Sequence, residues 1–236
     1  MKGVPIIIAH RGASAVAPES TKAAIAAAWA AGATMVELDV QMTLDGRLVV
    51  FHDAHLSRTT NGRGRLAKTS YRTLARLDAG SWFHPRFAGQ RILLVSQAMR
   101  LIPRSRQLNL EVKATAQPRR VVKQLLPLTR PIRQRLLVSS FDRGVLQQLR
   151  AVALPSALIC ATRADRALRE AIRLGCAAWH PQVSLVTPRR IANAHAAGVR
   201  VHVWTVDQPA EARRLRRWGV DGIFTNDPAR LRKAIS

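Results

Sequence analysis

Eight short β-branched or apolar runs recur along the 236-residue chain: VPIIIAH, TMVELDV, QLNLEVK, RLLVSSF, SALICA, AAWHP, RVHVWTVD and GIFTNDP. Between most of them lie segments with helical spacing, among them STKAAIAAAWAAG, DRGVLQQLRAV, ADRALREAIRLG, TPRRIANAHAAG and QPAEARRLRRWG, and several close on a glycine suited to a helix C-terminus. Strands that alternate with helices run parallel, because each helix carries the chain back to the end of the sheet where the previous strand began. Eight such repeats in a chain of this length predict a closed (β/α)8 TIM barrel, and no GxGxxG turn follows the first run to favour an open doubly wound sheet. With 47% hydrophobic residues and no linker, the chain reads as one domain over 1–236.

The alternation is broken once. After VELDVQMT, the Asp45-Gly46 pair precedes a second extended run, RLVVFHD, which is the signature of a hairpin. From there to about residue 95 the chain is rich in turn residues, with one short helix expected around 70–77. Residues 54–95 therefore read as an insertion after the second barrel strand, with few apolar residues for a core of its own.

Side chains alternate across a strand, so Val36, Leu38 and Val40 share one face and Glu37 and Asp39 the other. By the same count Leu108, Leu110 and Val112 oppose Asn109, Glu111 and Lys113. The apolar faces belong under the helices, which aims Glu37, Asp39, Glu111 and Lys113 into the barrel near the strand ends where such folds carry their active sites. Three converging carboxylates exceed what one lysine neutralises, and a divalent cation with oxygen ligands satisfies them. Mg²⁺ or Ca²⁺ fits this donor set better than Zn²⁺, since no histidine or cysteine belongs to it. His10 ends the first strand, Arg11 follows at once, and His52 ends the hairpin strand above the same mouth. Two histidines, a cation site, an arginine and a lysine point to phosphate chemistry: the cations bear charge and the imidazoles move protons. His180 is a further pocket candidate, whereas His55, His84, His195 and His202 read as structural.

In this order the motifs AHRG with APEST, VELDVQMTLDGRLVVFHD, RTTNGRG, LDAGSW, LNLEVK, SSF, VWTVD and WGVDGIFTNDP resemble the glycerophosphodiester phosphodiesterase family, most of all its cytosolic bacterial members. The resemblance covers nearly the whole chain. It implies a (β/α)8 barrel, with His10 and His52 as the acid/base pair, Glu37, Asp39 and Glu111 as metal ligands, and Arg11 and Lys113 on the phosphate. It further implies Trp204 against the glycerol end of the substrate, with Phe141 a weaker candidate for the pocket wall. The expected reaction is metal-dependent hydrolysis of a glycerophosphodiester to sn-glycerol 3-phosphate and an alcohol, through a cyclic phosphate formed by the substrate's own hydroxyl. Two departures stand out. The usual Pro-Glu-Asn-Thr reads Pro18-Glu19-Ser20-Thr21, with Ser20 a serviceable helix N-cap, and Gln90 and Leu93 replace the usual Glu and Pro before the second helix.

Charge bounds the alternatives. Thirty-eight basic against fourteen acidic residues give a net +24, yet the first sixty residues hold five of each. Only six of the basic residues are lysine, and arginines scattered among alanines fit a coding bias as well as a binding surface. A lysophospholipase D-like enzyme at a membrane surface is the alternative within the same chemistry, although no amphipathic anchor helix stands out. A non-catalytic basic barrel for nucleic acid is the alternative outside it, opposed by the intact acid/base and ligand residues and by the lack of interleaved aromatics for base stacking. The run MKGVPIII stops at His10 and Arg11, short of a signal peptide or membrane span, and Cys160 and Cys176 have no metal or disulfide spacing. The expected location is the cytoplasm, with a small-molecule substrate, no specific nucleic acid and no membrane anchor.

Overall fold

The computed structural model describes residues 3–235; Met1, Lys2 and Ser236, and so the first two residues of the MKGVPIII run, lie outside the described residues. The strands are β1 (Ile6–His10), β2 (Met35–Met42), β3 (Leu48–Val50), β4 (Gln107–Val112), β5 (Leu136–Ser140), β6 (Ser156–Cys160), β7 (Ala178–Pro181), β8 (Arg200–Val203) and β9 (Gly222–Thr225). The helices are α1 (Lys22–Ala30), α2 (Tyr71–Leu74), α3 (Val95–Met99), α4 (Pro118–Thr129), α5 (Arg143–Ala151), α6 (Ala164–Arg173), α7 (Pro188–Ala196), α8 (Pro209–Trp218) and α9 (Pro228–Ile235). In space the strands run β1-β9-β8-β7-β6-β5-β4-β2, and β1 also pairs with β2, so eight parallel strands close into a barrel. All eight predicted barrel strands are present, and β3 hangs antiparallel on β2 as the Asp-Gly turn requires.

Register puts the chemistry in place. β1 pairs with β2 so that His10 lies beside Glu37, and β2 pairs with β4 so that Glu37 lies beside Asn109 and Asp39 beside Glu111. The alternate residues Val36, Leu38, Val40, Leu108, Leu110 and Val112 face the helices in the main core, as the alternation predicts. Inside the barrel, apolar packing is confined to small clusters such as Ile8, Met35 and Phe224, and Leu137 with Ala157 and Ala178. The upper interior is left to polar side chains.

The structure corrects three local expectations. The N-cap of α1 is Thr21, whose Oγ1 accepts from the Ala24 amide; Ser20 instead sits at φ 61, a left-handed conformation that Asn tolerates better than Ser. The hairpin strand ends at Val50, leaving His52 two residues beyond it. Helix α4 accommodates two prolines, and Pro118 occupies its first turn, where no amide partner is needed. The insertion has a core after all: Leu56, Leu66, Leu74, Ala79 and Ile92 pack with Val49 and Phe51 of the hairpin. Their irregular spacing hides them, since this segment is folded by turns. Asp78 organises one such turn by accepting the amides of Gly80, Ser81 and Gly89, bonds that hold its carboxyl below the usual range.

The AHRG turn depends on close approach. Arg11 has φ 57 and Gly12 φ 83, which swings the chain from β1 back over α1. A Cβ on Gly12 would lie 2.6 Å from the Ala24 carbonyl carbon, so the helix would have to move. We expect Gly12→Ala to cost about 3 kcal/mol in urea unfolding, combining backbone strain with overpacking. The control Gly64→Ala, at φ 92 with open space, should lose only about 1 kcal/mol.

Candidate active site

The predicted residues meet at the C-terminal end of the barrel. A cavity of about 270 Å³ is lined by His10, Arg11, Glu37, His52, Glu111 and Lys113, with Phe141, His180 and Trp204 on its remaining walls. Asp39 lies just behind, 1% exposed, where Arg11 Nε (3.4 Å) and Lys113 Nζ (2.6 Å) reach it. Phe141 stacks edge-on against Trp204 with ring centroids 5.8 Å apart. The Trp204 indole is set by a bond from Nε1 to the His180 carbonyl (2.8 Å).

Glu37, Asp39 and Glu111 each bring a carboxylate oxygen within 4.8 Å of the others. Lys113 spans two of them, 2.6 Å from Asp39 and 2.5 Å from Glu111. Glu37 takes the Arg11 amide on Oε2 (2.9 Å), while its buried Oε1 has no partner. A buried carboxylate oxygen without a donor, beside two more carboxylates, is what a hard divalent cation would satisfy, so these residues fit Mg²⁺ or Ca²⁺. Burial and the neighbouring Asp39 and Glu111 push the Glu37 carboxyl well above its ordinary range. Burial, with Asp39 beside it, also raises Glu111. For Asp39 burial acts in the same direction, but Lys113 and Arg11 outweigh it and hold the carboxyl below its usual value.

The two histidines are braced differently. His10 Nδ1 lies 2.8 Å from Asn226 Oδ1, and burial, with Arg11 nearby, lowers its pKa to about 4. His52 Nδ1 lies 2.6 Å from the Asp53 carboxylate. Arg58 holds Asp53 through Nε and Nη2, which keeps that carboxyl down at about 2. The same guanidinium grips both oxygens of Glu19, which also accepts from Arg11. A chain of alternating charge, Arg11-Glu19-Arg58-Asp53, therefore ties the β1 turn to the loop carrying His52. Since an acceptor faces Nδ1 in each ring, Nε2 is the atom left to exchange protons.

Asn226, Asp207, Asp53, Arg58 and Glu19 carry no role in the sequence reading. They fall inside GIFTNDP, VWTVD, FHD, RTTNGRG and APEST, so the signal is present as motif. Their work is pairing across the chain, as between His10 and Asn226, 216 positions apart, which periodicity cannot express. His180 does reach the cavity, buried against His202 (Nε2 to Nδ1, 3.1 Å). His202 is buried as a structural residue would be. His195 pairs with Asp221 on the surface, while His84 caps a short turn outside the site.

Because a ligating carboxylate must be ionised, cation binding at the raised Glu37 and Glu111 carboxyls would release protons. We expect Mg²⁺ or Ca²⁺ affinity, measured calorimetrically, to rise from pH 5.5 to 7.5, with protons released in buffers of differing ionisation enthalpy. Glu37→Gln should weaken binding about tenfold or more and flatten the pH dependence.

Residues 10–230 match the glycerophosphoryl diester phosphodiesterase family. A glycerophosphodiester phosphodiesterase from Caldanaerobacter subterraneus subsp. tengcongensis is 33% identical over 96% of both chains. Among solved structures, an Oleispira antarctica phosphodiesterase in complex with the product sn-glycerol-3-phosphate superposes with a TM-score of 0.91 at 30% identity, covering 98% of this chain and 97% of that one. A glycerophosphodiester phosphodiesterase from Agrobacterium tumefaciens gives a TM-score of 0.84 at 27% identity, covering 96% and 98%. With the family match spanning the barrel from His10 onward and His10, His52, Glu37 and Glu111 lining one cavity, the chain belongs to the glycerophosphoryl diester phosphodiesterase family.

Proposed function

We propose that this protein is a phosphoric diester hydrolase that cleaves glycerophosphodiesters to sn-glycerol 3-phosphate and an alcohol. The observation that carries the reading is the junction, in one cavity, of two histidines braced at Nδ1 with a cluster of three carboxylates. Glu37, Asp39 and Glu111 would hold Mg²⁺ or Ca²⁺, which when bound supplies positive charge to non-bridging phosphate oxygens. Arg11 and Lys113, at the same wall, add charge that the phosphoryl group meets on entry. Trp204 and Phe141 offer an apolar side for the glycerol carbons.

The proton work falls to the histidines. His10, held neutral, accepts the proton of the substrate's own glycerol hydroxyl as that oxygen bonds to phosphorus. His52, whose Nδ1 is braced by the Asp53 carboxylate, gives a proton to the departing alcohol as the second P–O bond breaks. Water then opens the cyclic phosphate with the roles exchanged. The location proposed is the cytoplasm, in keeping with two free buried cysteines; among the described residues no helix is long and apolar enough to cross a membrane.

A second reading has its own observation. Phe141, 47% exposed, lines the cavity and packs edge-on against Trp204, an apolar wall open to solvent that would suit the acyl chain of a lysophospholipid.

One assay separates the two: release of glycerol 3-phosphate or lysophosphatidic acid from glycerophosphocholine and lysophosphatidylcholine, with Mg²⁺ or Ca²⁺ and after EDTA. We expect the water-soluble diester to be the better substrate and chelation to abolish turnover. His10→Ala and His52→Ala should each lower kcat by about 10²- to 10⁴-fold. Preference for the lysophospholipid would move the assignment to the second reading, and metal-independent turnover would remove the role given to the carboxylates.

A further inference from the structure

Three neighbouring strands of the barrel, β8, β9 and β1, lead at their C-terminal ends to Asp207, Asn226 and His10. Asn226 Nδ2 donates to Asp207 Oδ2 (2.7 Å) and Asn226 Oδ1 faces His10 Nδ1 (2.8 Å). Asp207 Oδ1 accepts from the Asn226 amide and from Thr225 Oγ1, both at 2.8 Å. We infer that Asp207 selects the tautomer of His10, acting through the side-chain amide of Asn226.

A primary amide is nearly symmetric in shape, so only its partners decide which end faces the histidine. A carboxylate offers acceptors alone, so Asp207 demands the Nδ2 end of Asn226; the reverse orientation would set two oxygens against each other at 2.7 Å. Oδ1 is thereby turned toward His10, and an oxygen there accepts only. Neutral His10 must then carry its hydrogen on Nδ1 and leave the Nε2 lone pair open. Ser14 Oγ lies 2.9 Å from both Asn226 Oδ1 and the His10 carbonyl, and its single hydrogen goes to one or the other without competing for the ring hydrogen. With the opposite tautomer, Nε2 would carry a hydrogen and could not accept one from a substrate hydroxyl. Asp207 and Asn226 are thus positioning residues for the proposed base. The mechanistic consequence rests on the role proposed for His10, whereas the tautomer does not.

Substitutions along this relay should have opposing effects. Asp207→Asn keeps an oxygen for Thr225 and the Asn226 amide but turns a donor toward Asn226, whose side chain should then flip and present Nδ2 to His10. The ring would respond by moving its hydrogen to Nε2. Adding Asn226→Asp restores an acceptor that satisfies both the new amide donor at position 207 and His10 Nδ1, so the double variant should recover what the single one lost.

The test is ¹⁵N NMR of the histidine ring nitrogens in the full-length protein at a pH where His10 is neutral, with its signals identified by their absence from His10→Ala. We expect an Nδ1–H ring in the wild type, an Nε2–H ring in Asp207→Asn, and Nδ1–H again in the double variant. In parallel, Asp207→Asn should lower kcat on glycerophosphocholine by about 10²-fold or more with KM changed less than about threefold, and the double variant should return kcat to within about tenfold of wild type. An Nε2–H wild-type ring, an unchanged tautomer in Asp207→Asn, or a loss that the double variant does not recover would overturn the inference. Should Asp207→Asn fail to fold, Asn226→Ala removes the acceptor while leaving Asp207 its bonds to Thr225 and the backbone; it must then weaken the Nδ1–H preference for the inference to stand. Full activity in His10→Ala would instead overturn the proposed base, with the NMR result still deciding the relay.

Discussion

Glu37, Asp39 and Glu111 bring three negative charges into one buried corner because β2 and β4 pair in a register that leaves their polar faces no other direction. Burying a carboxylate is costly unless something answers its charge, and this corner holds three. Lys113 and Arg11 answer part of it by reaching Asp39, and Glu111 is drawn to Lys113 as well. Glu37 keeps an unpartnered oxygen and a raised carboxyl pKa. The arrangement stays under electrostatic tension that a divalent cation would relieve.

Around that corner the charges are arranged in alternation. Arg11 leaves the β1 turn in a left-handed conformation, its amide on Glu37 and its guanidinium between Asp39 and Glu19. Glu19 meets Arg58, and Arg58 grips the carboxylate behind His52. The turn before α1 and the loop after the hairpin are thereby locked together, although thirty-nine positions separate Glu19 from Arg58. Such a network orients His52 and Arg11 more than it stabilises the fold, since Arg58 is 45% exposed and solvent weakens its pairs.

In the mechanism proposed above, the histidines divide the proton work through what stands behind them. An amide oxygen behind His10 fixes where its hydrogen sits without adding negative charge, and burial keeps that ring neutral. A carboxylate stands behind His52 instead, 2.6 Å from its Nδ1. Two rings of identical chemistry are thus placed in different surroundings, the arrangement that an acid and base pair requires.

Much of this is legible in the chain. Alternating runs name the barrel strands, and period-two alternation puts Glu37, Asp39 and Glu111 on the inner face because the helices claim the other one. The ends of those strands mark His10, Arg11 and Lys113 for the mouth, because every parallel strand finishes at the same end of the barrel. What sequence leaves open depends on the third dimension. The insertion's core is hidden because turns, and no regular period, bring Leu56, Leu74 and Ile92 together. Ser20 has the composition of a cap, and only the folded turn reveals the positive φ that removes it from that role. The braces behind His10 and His52 are chosen by distance and angle, and in the case of His10 the partner comes from a strand neighbour at the far end of the chain, which one-dimensional order does not carry. Composition and periodicity thus determined the barrel and the side chains it would aim inward; only the closed tertiary structure, by bringing β1 against β9 and the hairpin loop over the β1 turn, decided which atom of each ring is left to act.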